Sequence, residues 1–335
     1  MACPLVAAVY ALIAEVRGTL DPQTLESLIA STASPRLFND GTATSNFFAP
    51  VPQVGAGLIQ AYDAAYASTL LSKSYLAFND TDNLIPTLSF TVKNLGKKTV
   101  TYKLGSVGAA TAYTFSSDIY PDIFPGLEVA AQYATVRLST SQITVPAGRS
   151  AEVYVTVKPP AVDGKRLPVY SGYITLNGTN GENLSLPYNG AVGSLHRTQV
   201  LDTGYLSIST DPNLTPVTGT ASFVLTKNST TSTNTTLPVA VALMAFGSPR
   251  INVKLLQVIG NGKATKVVGD IFNSPYVYAS RDTYTNEFDG RLADGTYAPA
   301  GTYELSIEAL HIFGNYRNPK EYDTAVTAPF TITYK

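Results

Sequence analysis

The hydrophobic pattern of this 335-residue chain changes once, from helical spacing to strict alternation, near Lys73. That switch limits the fold to a mainly β architecture with a helical beginning. The first stretch, Leu5 to Val16 (LVAAVYALIAEV), is apolar on every side except at Glu15. About a dozen apolar residues cannot cross roughly 30 Å of hydrocarbon. Ala2, Cys3 and Pro4 supply no basic segment ahead of it, as a signal peptide would need. A helix that is hydrophobic all round is otherwise a core helix. Asp21 and Pro22 then form a capped helix start, Leu25, Leu28 and Ile29 share its inner face, and Pro35 ends it. After a polar, Phe-containing loop, Leu58, Ala61 and Tyr62 mark a third helical segment expected to run to about Leu71.

Beyond Lys73 the alternation of Leu88, Phe90 and Val92, a turn signal at Asn94 to Gly96, and Val100, Tyr102 and Leu104 predict a hairpin. Pro146 to Gly148 form a turn before Val153, Val155 and Val157, and Tyr170–Leu176 and Leu184–Tyr188 supply further short strands. The pattern resumes at Ala221–Thr226, Leu237–Leu243, Ile251–Val258, Tyr276–Ser280, Thr302–Leu310 and Ala328–Tyr334, where Pro299 to Gly301 echo the earlier Pro-Ala-Gly turn. The run Asn228 to Thr236 reads as a loop of the second β region. The expected division is a helical segment over 1–72 and two antiparallel sandwiches over 73–203 and 204–335.

The chemistry is constrained by scarcity. One Cys and two His exclude an internal disulfide framework and a zinc site of four cysteines or of two cysteines with two histidines, and they leave few general bases. Lys and Arg number 23 against 24 Asp and Glu, so no bulk charge draws nucleic acid. His196 and His311 lie in no recognisable local motif and read as strand-end or loop imidazoles. Cys3, beside Pro4, reads as a small buried hydrophobe, with a reactive thiol at a helix N-terminus as the alternative. Asp289-Gly290 and Asp294-Gly295 read as turns because the alternating oxygens of a calcium loop are absent. There is no phosphate-binding glycine loop and no GxSxG elbow, and no cofactor or metal is implied. Six sequons, at Asn79, Asn177, Asn183, Asn213, Asn228 and Asn234, point to a glycosylated extracellular surface.

Met1, Ala2, Cys3 and Pro4, followed by the small and apolar Leu5–Val16 helix, resemble the segment directly after the nucleophile in subtilisin-like serine proteases, whose signature is GTSMAxP. Gln53 to Leu58 is similar to the QxGxG stretch before the last helix of that catalytic domain. Residues 86–193, including PTLSFTVKNLG, VPAGRSAEVYVTV and YSGYITLNG, resemble the fibronectin-III-like domain of C5a-peptidase-like and fungal secreted subtilases. FDGRLADGTYAPAGTYEL, from Phe288 to Leu305, is similar to the WDGxxxDGxxxPxGxY turn of an Ig/FlgD-like domain, with Phe288 in place of Trp.

The resemblance implies two fibronectin-III/Ig-like sandwiches preceded by a helical remnant of a subtilase α/β domain. The family's nucleophile falls immediately before Met1, and its catalytic Asp, His and oxyanion Asn fall further upstream, so none maps onto a residue here. The implied protein is secreted, the chain is inert by itself, and its partners are the missing catalytic domain and a protein or peptide substrate. The rival reading is a non-enzymatic secreted binding or adhesion protein whose Tyr-rich loops contact a glycan or protein; its mark would be an exposed aromatic patch with polar neighbours. An active hydrolase assembled from the β regions is disfavoured because base, nucleophile and orienting carboxylate would all have to converge. With the catalytic sheet missing, Leu5, Val6, Val9, Tyr10, Leu12 and Ile13 lack their cover. Each large apolar side chain left in water forfeits about 1.5–3 kcal/mol, so residues 1–71 are expected to be weakly folded.

Overall fold

The computed structural model of the chain describes residues 2–116, 119–121, 128–227, 236–260 and 264–335. The chain is mainly β and divides into two units, one ending at Ser194 and the other beginning at Leu195.

In the first unit the helical beginning forms around its start signals. Helix α1 (Ala2–Arg17) is followed by α2 (Pro22–Thr32), where Asp21 Oδ2 accepts from the Thr24 N–H at 2.9 Å and Pro22 occupies the first turn. These hydrogen bonds from Thr24 hold the Asp21 carboxyl below its ordinary pKa. Two short helices, α3 (Val51–Val54) and α4 (Ala61–Tyr66), complete the set. Val9, Ile13, Leu25, Leu28, Ala64 and Ala65 make a small core of their own. Arg17, in the last turn of α1, donates to the Ala64 and Ala67 carbonyls at 3.0 and 2.6 Å, so a cation caps the C-terminal end of α4. No single described helix is long and apolar enough to cross a membrane.

Two expectations for this segment are corrected. Helix α4 stops at Tyr66, and Thr69–Leu71 is a strand that pairs with Thr87–Asn94, because buried Thr69 and Leu71 alternate towards the sandwich instead of following a helical face. The Phe-containing loop also supplies strands, Leu37–Asn39 and Thr44–Phe48. The apolar face of α1 is partly covered: α2 and α4 bury Val9 and Ile13, while Leu5 stays 66% and Leu12 57% exposed. Gly57 is obligatory in its turn, since at φ +114° an added Cβ would lie 2.2 Å from the Ser34 carbonyl oxygen, across the bridge that pairs Ser34 with Leu58.

The sandwich faces a four-stranded sheet, in the order 69–71, 87–94, 150–158 and 135–138, against an eight-stranded one built around Val100–Tyr113, Pro168–Gly178 and Asn183–Ala191. Phe90, Val92, Val153 and Val155 from the first meet Tyr102, Tyr170, Ile174, Leu186 and Tyr188 from the second. The hairpin expected of residues 88–104 does not form: Thr87–Asn94 and Val100–Tyr113 belong to opposite sheets. Asn94 makes that corner, donating from Nδ2 to the Lys98 and Val145 carbonyls at 2.8 and 2.9 Å while its Oδ1 accepts from the Gly96 N–H. The strands expected at Tyr170–Leu176 and Leu184–Tyr188 pair as a hairpin, with Asn177 and Asn183 directly opposite each other.

Glu182 ties the helical segment to this sandwich. Its carboxylate accepts from the Ser68 N–H, from Ser68 Oγ at 2.7 Å and from Thr69 Oγ1, which lies 2.7 Å from the buried Tyr102 hydroxyl. Ser171 Oγ accepts from the Val51 N–H at 3.0 Å and the Tyr173 hydroxyl donates to the Gly55 carbonyl at 3.1 Å, holding α3 to the same sheet.

In the second unit a three-stranded sheet of Leu201–Ile208, Pro238–Met244 and Thr283–Glu287 lies in the same core as a seven-stranded one, whose path runs 221–225, 330–334, 301–310, 248–259 and 264–270. Strands Leu201–Ile208, Ala264–Asp270, Thr283–Glu287 and Tyr322–Val326 escape the sequence reading: Asp202, Thr203 and Gly204 interrupt the alternation of the first, and the others are short or mix polar residues into both faces. Phe288 is 1% exposed and its ring lies 6.3 Å from that of Phe330, so it is a buried aromatic anchor of the second core. Asp294 Oδ1 accepts from the Thr296 N–H and hydroxyl, and Gly295 takes φ +83°, which is turn geometry.

Two outcomes follow. Glu182→Ala should cost about 2–3 kcal/mol by leaving the Ser68 and Thr69 donors without their charged acceptor, read as a lowered urea midpoint and faster hydrogen exchange in α1 and α2. Burial raises the Tyr170 and Tyr173 phenols to about 12 and drives Tyr188 higher still. A phenol raised in the folded state contributes stability that is intact below its unfolded pKa of about 10 and is lost as pH rises through the folded value. Absorbance titration should therefore show a tyrosine class that ionises only near pH 12, together with loss of the β signal in circular dichroism.

Candidate functional site

An imidazole is the commonest general base, and the fold brings the two of this chain together. His196 precedes the Leu201–Ile208 strand, and His311 follows the Gly301–Leu310 strand. Their rings lie 5.9 Å apart, edge to face. A short helical turn, Pro319–Glu321, capped by the Asn318 side chain, presents Glu321 and then Asp323 to the pair. Glu321 binds His196 Nε2 through its carboxylate and accepts from the His311 backbone N–H at 2.9 Å. Asp323 Oδ1 meets His311 Nε2 at 2.8 Å, and its Oδ2 accepts from the N–H groups of Val200 and Leu201 at 2.7 and 3.1 Å.

His196 lies in a loop and His311 at a strand end, as their sequence context suggests, and the fold adds their meeting. The partners are more than a hundred residues apart for His196 and twelve for His311, so no local motif could carry the signal. A hydrolytic site needs an imidazole between a carboxylate and a nucleophile. Among the described residues neither imidazole has a serine, threonine or cysteine as hydrogen-bond partner, and no group of three or more His, Cys, Asp and Glu could hold a metal ion. The cluster is built as a clamp: Asp323 joins the lead-in at Val200 and Leu201 to the end of the His311 strand.

The other residues singled out by sequence lie apart. Ala2, Cys3 and Pro4 sit exposed in the first turn of α1, which corrects the reading of Cys3 as buried, and Met1 falls outside the described residues. Asn79, Asn177, Asn183 and Asn213 are exposed, with Asn79 at φ +61° and its Nδ2 donating to the Asn83 carbonyl. Asn228 and Asn234 are outside the described residues.

Asp323→Ala removes the acceptor of two backbone N–H groups and one imidazole. It should lower stability by about 2–3 kcal/mol, measured as a shift in the chemical denaturation midpoint of the second unit. His196→Ala, at a more exposed position, should cost less than half of that.

Residues 76–189 match the family of the Fn3-like domain. The chain is 28% identical over 211 residues to the PII-type proteinase of Lactococcus lactis subsp. cremoris, an alignment that takes in 58% of this chain and 10% of the relative. The PII-type proteinase of Lacticaseibacillus paracasei matches with the same identity and coverage. The chain thus spans about a tenth of the length of the curated relatives it matches. Among solved structures, the ASH/PapD-like domain of human CEP192 is 14% identical, covers 38% of this chain and 84% of its own, and superposes with a TM-score of 0.27. The first unit therefore contains an Fn3-like domain, in a chain with partial similarity to bacterial proteinases.

Proposed function

We propose that this chain is the carboxy-terminal region of a secreted subtilisin-like serine endopeptidase, and that it contributes accessory β-sandwiches without a hydrolytic centre of its own. The observation that carries the reading is the 28% identity to the PII-type proteinase across 58% of the chain, with an Fn3-like domain inside it. Local structure supports it. Helix α1 leaves Leu5, Leu12 and Val16 exposed along one flank, where the family's corresponding helix is buried under the catalytic sheet. The strained Gly57 turn lies in the QxGxG-like stretch, and buried Phe288 opens the FDG turn. In this reading residues 1–72 are the remnant of the catalytic domain, followed by the fibronectin-III-like sandwich and the Ig/FlgD-like one, with the boundary between them moved from 203/204 to Ser194/Leu195 because the Leu201–Ile208 strand lies whole in the second core.

The catalytic domain is then the natural cover for the α1 flank, and the substrate is a protein or peptide bound outside this chain. Secretion and glycosylation at the exposed sequons belong to the same reading. Both imidazoles are engaged by carboxylates in a clamp, which supports inertness.

The purified chain should release no peptides from casein; turnover that His196→Ala abolishes would sink the proposal. A longer form that supplies the catalytic domain should slow hydrogen exchange across Ala2–Arg17 and remove binding of an apolar dye. Unchanged exchange and dye binding in that form would show that the flank has another purpose.

A further inference from the structure

Helix α4 carries Tyr62 and Tyr66 one helical turn apart, so both rings emerge on one face. They are 75% and 60% exposed, and their centroids lie 4.8 Å apart at 44°, making one continuous aromatic platform. A partly buried platform of this kind, with one face left to water, loses free energy that a ligand with an apolar face would recover.

The platform borders a groove of about 290 Å³ inside the first unit, whose remaining wall includes Thr32, Asp63, Glu182 and Asn183. That volume is near the lower end of small-ligand pockets, about 300–1,000 Å³. Its walls are set before any ligand arrives. Glu182 is committed to Ser68 and Thr69, Asn180 Nδ2 donates to Ser68 Oγ at 3.0 Å, and the Thr32 hydroxyl donates to the Leu28 carbonyl at 2.8 Å. Asp63 and Asn183 differ from these: neither side chain has a hydrogen-bond partner among the described residues, and both are exposed at the groove. They offer a carboxylate acceptor and an amide that both donates and accepts.

The lining selects the class of ligand. No described lining residue is basic, so an anionic ligand would meet only Asp63 and Glu182. The two rings contact each other and leave no gap between them for an ammonium group, which disfavours a cation cage. A pyranose fits both halves of the site, because its C–H face can lie on a tyrosine ring while its rim of hydroxyls donates to Asp63 and exchanges hydrogen bonds with Asn183.

We propose that this groove binds a neutral pyranose unit, stacked on Tyr62 and Tyr66 and hydrogen-bonded by Asp63 and Asn183. The sugar has two sources: a free saccharide, or an outer unit of a glycan carried by the chain's own Asn183, which heads the sequon Asn183-Leu184-Ser185 and would then leave Asp63 as the side chain that hydrogen-bonds it. The site stands on this geometry and does not depend on the proteinase reading.

The test uses the full chain made in a bacterial host, and so without N-glycan, titrated with triacetylchitotriose, cellotriose and a proline-rich peptide. With no Trp and 21 tyrosines in the chain, the part of the ligand-dependent tyrosine fluorescence change that is lost in Tyr62→Ala and Tyr66→Ala reports on the platform. Saturable binding of a saccharide, weakened on the order of tenfold by Tyr62→Ala or Tyr66→Ala with unchanged circular dichroism, is the expected result for the free source. The same chain secreted from a eukaryotic host decides the other source: a glycan on Asn183 that shields Tyr62 and Tyr66 from iodination, with shielding lost in Asn183→Gln. Saccharide binding unaltered by both tyrosine variants, binding of the peptide alone, or no saccharide bound together with an Asn183 glycan that leaves both rings reactive, or no glycan at all, would each overturn the proposal.

Discussion

The carboxylate of Glu182 is the point on which the first unit turns. It lies in the tight hairpin between two central strands and accepts from Ser68 and Thr69, just where α4 gives way to a strand. A carboxylate in that position converts the boundary of a helical segment into part of a sheet, because it satisfies donors that would otherwise face a half-dry interface. The Thr69 hydroxyl then bridges to Tyr102 in the sandwich core, so a polar network reaches from the helices to the packed aromatic layer. Arg17 works from the other side, capping α4 with a cation whose own pKa is lowered, chiefly by burial. Helices that would make a poor core alone are held by a few well-satisfied polar contacts as well as by Val9, Ile13 and Leu28.

The same fixing of the helical segment positions the aromatic platform of α4 beside the Asn180–Asn183 turn. The expected mark of a binding protein, exposed aromatics with polar neighbours, arises on the helical segment at Tyr62 and Tyr66 as well as on a loop of the second unit, at Phe313 and Tyr316. The two readings of the chain are therefore compatible: an accessory region of a secreted proteinase can also hold a sugar, since accessory sandwiches and their attachments carry sites independently of a catalytic centre.

In the second unit the chain's two histidines are drawn into structure. Glu321 and Asp323, two apart on one strand entry, each take one imidazole, and Asp323 also takes two backbone N–H groups. A carboxylate already accepting from backbone donors holds its imidazole as part of a packed corner. The pair thus joins histidine and acid into one packed corner between segments far apart in sequence.

Much of this was legible in the residues alone. Alternation identified the strands at Val153–Val157 and Tyr303–Ile307, Asp21 and Pro22 marked the start of α2, and Asp294-Gly295 marked a turn, because each depends on near neighbours and on side-chain period. Pairing was another matter. Asn94 reads as a hairpin turn, yet the chain crosses there to the opposite sheet, since alternation says which face is buried and not which strand lies alongside. The end of α4, the His196–His311 cluster and the meeting of Tyr62 with Asn183 were likewise decided only by tertiary structure. Each joins residues distant in sequence through burial and hydrogen-bond satisfaction, which no local spacing records.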